Sequence, residues 1–227
     1  MSGSEWAVLA LSFKVAFWAT LASLPLGIAV ALLLARGRFP GRMLLNGLVH
    51  LPLILPPVVT GYLLLVVFGR RGVLGAWLAE IGVVFAFSWT GAALAAGVMA
   101  FPLLVRAVRL SVDAIDPGLE EAAQSLGAGR LARFALVTLP LMAPGILTGA
   151  VLAFAKALGE FGATITFVSS IPGKTETLPL AIYAALQIPG GEAMAVRFVA
   201  ISVAASMLGL LLAELLSRRV ARWVAGR

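Results

Sequence analysis

Apolar residues in this chain gather into long unbroken runs, not the alternating or one-faced patterns of soluble domains. Five runs cover residues 9–35, 44–68, 85–105, 141–161 and 196–216. Each is long enough to cross a hydrocarbon core of about 30 Å, which takes about 20 helical residues. A further stretch, "TLPLAIYAALQIPGG", is apolar for only about a dozen residues, between Pro179 and Pro189-Gly190-Gly191. It reads as a short re-entrant or interfacial helix.

The segment between the third and fourth runs, "EEAAQSLGAGRLARFALVTLP", has the pattern of a soluble surface. Asp116 suits an N-cap, Pro117 the first helical position, and Glu120 and Glu121 the positive end of the helix dipole. Gly127 is a C-terminal stop. The spacing predicts a helix over Pro117 to Leu126, about 15 Å long and too short to span. Leu119, Ala122, Ala123 and Leu126 form one apolar stripe with small residues at its centre. Periodicity leaves two readings open: an amphipathic connector lying on the membrane or the chain's own bundle, and a helix that enters a groove on a partner protein.

Composition fits the runs. Of 227 residues, 61% are hydrophobic and 12% charged, and the mean hydropathy is +1.05. A soluble domain is about half apolar. The expectation is an all-α integral membrane protein, one transmembrane domain over residues 1–227 with about five spans, six possible, and no appended soluble domain. There are no cysteines, so no disulfide framework and no thiolate metal site. The net charge of +7 comes from arginines beside the apolar runs, which marks membrane orientation and not nucleic-acid binding. With the amino terminus outside, Arg36, Arg38, Arg42, Arg106, Arg109, Arg130, Arg133, Arg218, Arg219, Arg222 and Arg227 are cytoplasmic, while Arg70, Arg71, Lys174 and Arg197 lie outside.

Two places inside the membrane carry candidate chemistry. Gly145, Gly149, Ala153, Lys156, Glu160 and Ala163 share one helical sector of about 80° at 100° per residue. Small residues there admit a neighbouring helix, and the charges share that face. Lys156 and Glu160 are four apart, so they can pair; alternatively Glu160, Phe161 and Thr164 line or gate a pathway to which Lys156 offers positive potential. In the second run Pro52, Pro56 and Pro57 interrupt the backbone ladder, before Thr60-Gly61, as a hinge or gate or as a packing kink. His50 has no second ligand at metal spacing and reads as structural. No phosphate-loop, H-E-x-x-H or G-x-S-x-G motif is present, so neither ATP hydrolysis nor another catalytic or metal site is expected on this chain.

The polar segment resembles the cytoplasmic signature loop of ABC-importer permeases: Glu121-Ala122-Ala123, then Gly127, then Val137-Thr138-Leu139-Pro140, with valine for the usual isoleucine. In that family the loop is the coupling helix. The resemblance implies the type I importer permease architecture and assigns Leu119, Glu121, Ala122, Ala123, Leu126 and Gly127 to contact with a separate ATPase. "FPGRMLLNGLVHLPLILPPVVTGYLLL", "FAFSW", "FPLLVRAVRL" and "LGEFGATITFVSSIPGKTETLPLAIY" are similar to the molybdate permeases, with sulfate and tungstate permeases close to them. It further implies a homodimer in a bacterial inner membrane, two ATPase subunits holding ATP and Mg, and a periplasmic or surface-tethered oxyanion-binding protein. Pro56, Pro57, Lys156, Glu160, Phe161 and Thr164 are the pathway or gate candidates. An ion-coupled secondary transporter would need internal repeats with paired broken helices, and none is found.

The arginine bias generates a topology prediction. Cysteines placed at Ser2 and Gly173 label from outside the cell, and cysteines at Gly41 and Gly226 do not. Labelling of Ser2 from the cytoplasm alone defeats the five-span arrangement.

Overall fold

The computed structural model describes residues 3–225, and every regular element among them is helical. Ser2, Gly226 and Arg227, used in the topology reading, lie outside the described residues. The first helix, α1 (Gly3–Arg36), starts earlier than its apolar run. Its extra turn is kept by an ion pair at 3.0 Å between Glu5 and Arg197 of the last helix, α11 (Glu192–Ala225).

The second apolar run does not form one straight span. It divides into α2 (Arg42–Ile54) and α3 (Pro57–Phe68), whose axes bend by 115°. Leu55 and Pro56 at the break are extended, with ψ of 143° and 133°. A residue before proline is pushed out of the helical region, and Pro56 and Pro57 together remove two successive donors. Pro52, inside α2, does not end it. Among the described residues four helices are long and apolar enough to cross a membrane, and five crossings result if the bent pair counts as one.

After the short α4 (Val73–Glu80), α5 (Trp89–Asp113) forms the post of the bundle. Two-thirds of its most apolar window is buried, 67% against 17–28% for the other long helices. It runs eight residues past the predicted end at Val105 because its polar residues find partners: Arg109 pairs with Asp113 at 3.5 Å and donates to Asn46 of α2 at 3.1 Å. The predicted cytoplasmic helix is α6 (Pro117–Ser125), with Leu126 as its cap residue. Asp116 accepts from the Gly118 N–H at 2.9 Å, and Gly127 turns the chain with φ of +85°, a conformation glycine adopts without strain.

The fourth run becomes a continuous helical stretch over Arg130–Leu158: α7 (Arg130–Arg133), a π-helical turn at Phe134–Thr138, then α8 (Leu139–Leu158). The small residues of α8 do face a neighbour. A Cβ on Gly145 would lie 2.2 Å from Ser111 Cβ, and one on Gly149 would lie 2.9 Å from Leu104 Cδ1, both on α5. Two short helices follow, α9 (Gly162–Val168) and α10 (Leu178–Leu186); α10 is the short apolar stretch read as non-spanning. Leu178 and Ala181 of α10 pack with Val8 and Phe198, and the Leu178 N–H donates to Ser12 Oγ at 2.7 Å.

This packing predicts that Gly149→Leu lowers the yield and thermal stability of folded protein, in the range of about 1–3 kcal/mol for overpacking. Val151→Leu, on another face of α8, is tolerated. Equal melting of the two variants in detergent would show that the small-residue face has no packing role.

Candidate functional site

Two constellations carry the chemistry. The first is a corner between helices. The α8 helix stops at Leu158, and Glu160 follows with a side chain only 1% exposed. One carboxylate oxygen of Glu160 receives the Lys156 ammonium. The other accepts the Ala163 N–H at 3.1 Å, capping the first turn of α9. The two charges therefore pair, and Lys156 keeps a third of its side chain exposed. Thr164 is buried and returns its hydroxyl to the Phe161 carbonyl at 2.8 Å. The Phe161 ring packs on Tyr183 of α10, with centroids 5.2 Å apart.

This corner is pressed against the α2–α3 break. A Cβ on Gly162 would meet Pro57 Cβ at 2.6 Å, and a Cβ on Gly61 would meet the Ala163 carbonyl oxygen at 2.5 Å. The structure thus brings Pro57, Lys156, Glu160, Phe161 and Thr164 to one locus. Pro56 marks the break itself and is exposed. Beside them the Thr60 hydroxyl is buried without a hydrogen-bond partner. His50 donates from Nδ1 to the Asn46 carbonyl at 2.8 Å, a satisfied structural residue.

The second constellation is α6. Leu119, Glu121, Ala122 and Leu126 are exposed, with Leu126 at 89%, whereas Ala123 is half-buried against the chain's own body. The stripe is therefore not uniform: Ala123 sits at its inner edge and Ala122 at its open edge. Glu120 is the anchor. Its carboxylate receives Arg36 from the end of α1 and the Thr138 hydroxyl from the π-helical turn. Burial acts against its charge, but the hydrogen bonds from Thr138 and Arg36, with the attraction of Arg36 and Arg133, outweigh this and hold its pKa below the ordinary carboxylate value. Arg133 also donates to Gln124.

Sequence reasoning treats Glu120 only as a dipole partner and Arg36 only as an orientation charge. Their contact joins residues 84 apart, and no local pattern signals it. The Gly61–Ala163 and Gly162–Pro57 approaches are equally non-local; the proline break and the glycine beside the "GEFG" glutamate are visible separately, but their meeting is not.

Comparison with known proteins agrees with this architecture. The chain is 56% identical over its full length to the molybdenum transport system permease protein ModB of Escherichia coli (strain K12), covering 99% of that protein. It is 54% identical to the protein of the same name from Haemophilus influenzae, with 95% of each chain covered. It is 38% identical to the sulfate transport system permease protein CysT of Escherichia coli (strain K12), over 93% of this chain and 76% of that one. Among solved structures, a bacterial ABC transporter involved in import of the acidic polysaccharide alginate contains a chain of the same fold, at a TM-score of 0.76 and 21% identity, covering 96% of this chain and 80% of that one. The model for the binding-protein-dependent transport system inner membrane component matches residues 23–222. With a broken helix packed beside a central post and an anchored polar helix between its apolar stretches, the chain belongs to this family of inner-membrane transport components.

Proposed function

We propose that the chain is the permease of an ABC importer that moves molybdate inward by alternating access, as one copy of a homodimer. Two ATPase subunits, holding ATP and Mg, dock on its cytoplasmic side, and an oxyanion-binding protein delivers substrate from outside. The substrate reading is supported by the full-length similarity to relatives named for molybdenum transport; sulfate is the lesser reading, because the sulfate permease is more distant.

One observation carries the coupling role: α6 is fastened on its inner side by Glu120 and left bare on its apolar side. An exposed stripe on a helix fastened through Glu120 to the end of α1 and to the π-helical turn is a surface that can receive force. Displacement of α6 passes through Glu120 to α1 and, through Thr138, to the stretch that continues as α8. At the far end of α8 the Lys156–Glu160 corner holds α9 against α3, and this corner acts as the gate. Glu160 serves there as a cap and hinge, since a bare carboxylate in the conduit would repel an oxyanion.

Ala122→Arg is expected to abolish co-purification of the ATPase and ATP-dependent oxyanion uptake in vesicles, with membrane insertion unchanged. A charge desolvated without a partner costs several kcal/mol. Ala114→Arg, exposed just ahead of α6, retains both activities. Retention of partner and uptake by Ala122→Arg would return α6 to the role of an amphipathic connector.

The gate corner has its own test. A double-mutant cycle of Lys156→Met and Glu160→Gln, read as thermal stability in detergent, is expected to give a coupling energy of about 1 kcal/mol or more. Strict additivity would show that the two side chains do not act as a pair.

A further inference from the structure

An apolar groove of about 650 Å³ lies between α1, α2 and α5. Trp18 and Trp89 stand at one end, Leu26 and Phe101 at the other, and Ala22, Ala93 and Pro52 are among the residues between. The two long helices run parallel here, since Ser23 faces Gly97 and Gly27 faces Leu104. The groove therefore follows α5 from Trp89 to Phe101, about 18 Å at the helical rise. That is roughly one leaflet of a hydrocarbon core about 30 Å thick.

The mouth of the groove carries a cation. Lys14 lies one turn before Trp18, is exposed, and places Nζ 3.8 Å from the centroid of the Trp89 ring. Lys14 and Arg36 stand on the same helix, separated by about 33 Å at the helical rise. With Arg36 at the cytoplasmic surface, where it binds Glu120, Lys14 reaches the opposite surface, at headgroup level. An ammonium and an indole at that depth are the usual interfacial anchors, and a basic residue beside an inter-helix pocket is what a lipid headgroup recognises.

A second groove of about 490 Å³, between α1, α8 and α11, has similar walls, among them Phe17, Leu147, Phe154 and Ala205; among the described residues neither groove's own lining is charged, and it is the first that has Lys14 on one of its lining rings, that of Trp89. We propose that the first groove binds one anionic phospholipid of the outer leaflet, an acyl chain between α1, α2 and α5 and its phosphate on Lys14. A lipid phosphate supplies the counter-charge that an apolar helix of a second copy seated in the groove would not. The bound chain fills the space that the shortness of α2 and its break at Leu55 leave beside the α1–α5 pair.

The test is native mass spectrometry of the full chain released from nanodiscs holding equal phosphatidylglycerol and phosphatidylethanolamine. The wild type is expected to retain phosphatidylglycerol preferentially. Lys14→Ala lowers that preference about fivefold, the factor associated with one interfacial lysine, and Lys14→Arg keeps it. Ala22→Phe, introduced from the exposed wall, removes the bound lipid of either kind, while Val151→Phe in the second groove leaves the preference intact. An unselective wild type overturns the proposal, as does unchanged preference in Lys14→Ala. So does photo-crosslinking from position 22 that captures a second copy of the chain instead of lipid.

Discussion

A helix that breaks inside a bilayer exposes peptide groups where no water can satisfy them, and this constraint organises the molecule. Two breaks fall within or beside apolar stretches, between α2 and α3 at Leu55-Pro56 and between α8 and α9 at Gly159-Glu160-Phe161. The solution is to place the breaks against each other. Gly162 lies on Pro57, Gly61 lies on the Ala163 carbonyl, and the Glu160 carboxylate satisfies the Ala163 N–H at the start of α9. A carboxylate is costly at such a site unless paired, which accounts for Lys156 one turn earlier. The cap, the ion pair and the two glycine contacts are parts of one packing solution.

The rest of the bundle keeps that corner in place. The α8 helix closes on α5 through Gly145 and Gly149, close enough that any side chain there would meet Ser111 or Leu104. On the other side α1 reaches the same leucine through Gly27. Leu104 is fully buried between them. Helices in lipid have little hydrophobic drive to associate and rely on such close van der Waals contact. Glycines are thus placed where three helices converge, leaving room for the one bulky side chain, Leu104, that they close on.

A single stretch, Arg130–Leu158, connects the Glu120 anchor to the Lys156–Glu160 corner. At one end Thr138 holds Glu120; at the other Lys156 holds Glu160. Over this distance, about 30 Å at the rise per residue, α8 is continuous apart from the π-helical turn at its start. Such turns commonly mark functional sites in helices. In the proposed reading this rod carries the movement of α6 across the membrane, because a packed helix transmits displacement where a loop would absorb it.

The membrane class, the approximate number of crossings and the short polar helix were legible in sequence because each rests on local information: run length, and the cap residues Asp116, Pro117 and Gly127. The small face of α8 was legible for the same reason, since helical periodicity alone puts Gly145, Gly149 and Ala153 on one side. Local information could not decide whether residues 44–68 bend or turn back, because a proline pair marks a break but not its angle. Nor could it decide between pairing and pathway for Lys156 and Glu160, or reveal that Glu120 is an anchor. Those outcomes depend on Arg36, Thr138, Ala163 and Pro57, which reach their partners only when distant segments pack. The sequence determined which elements form and where they stop; the tertiary structure decided which polar groups meet, since a buried charge takes its role from the partner that satisfies it.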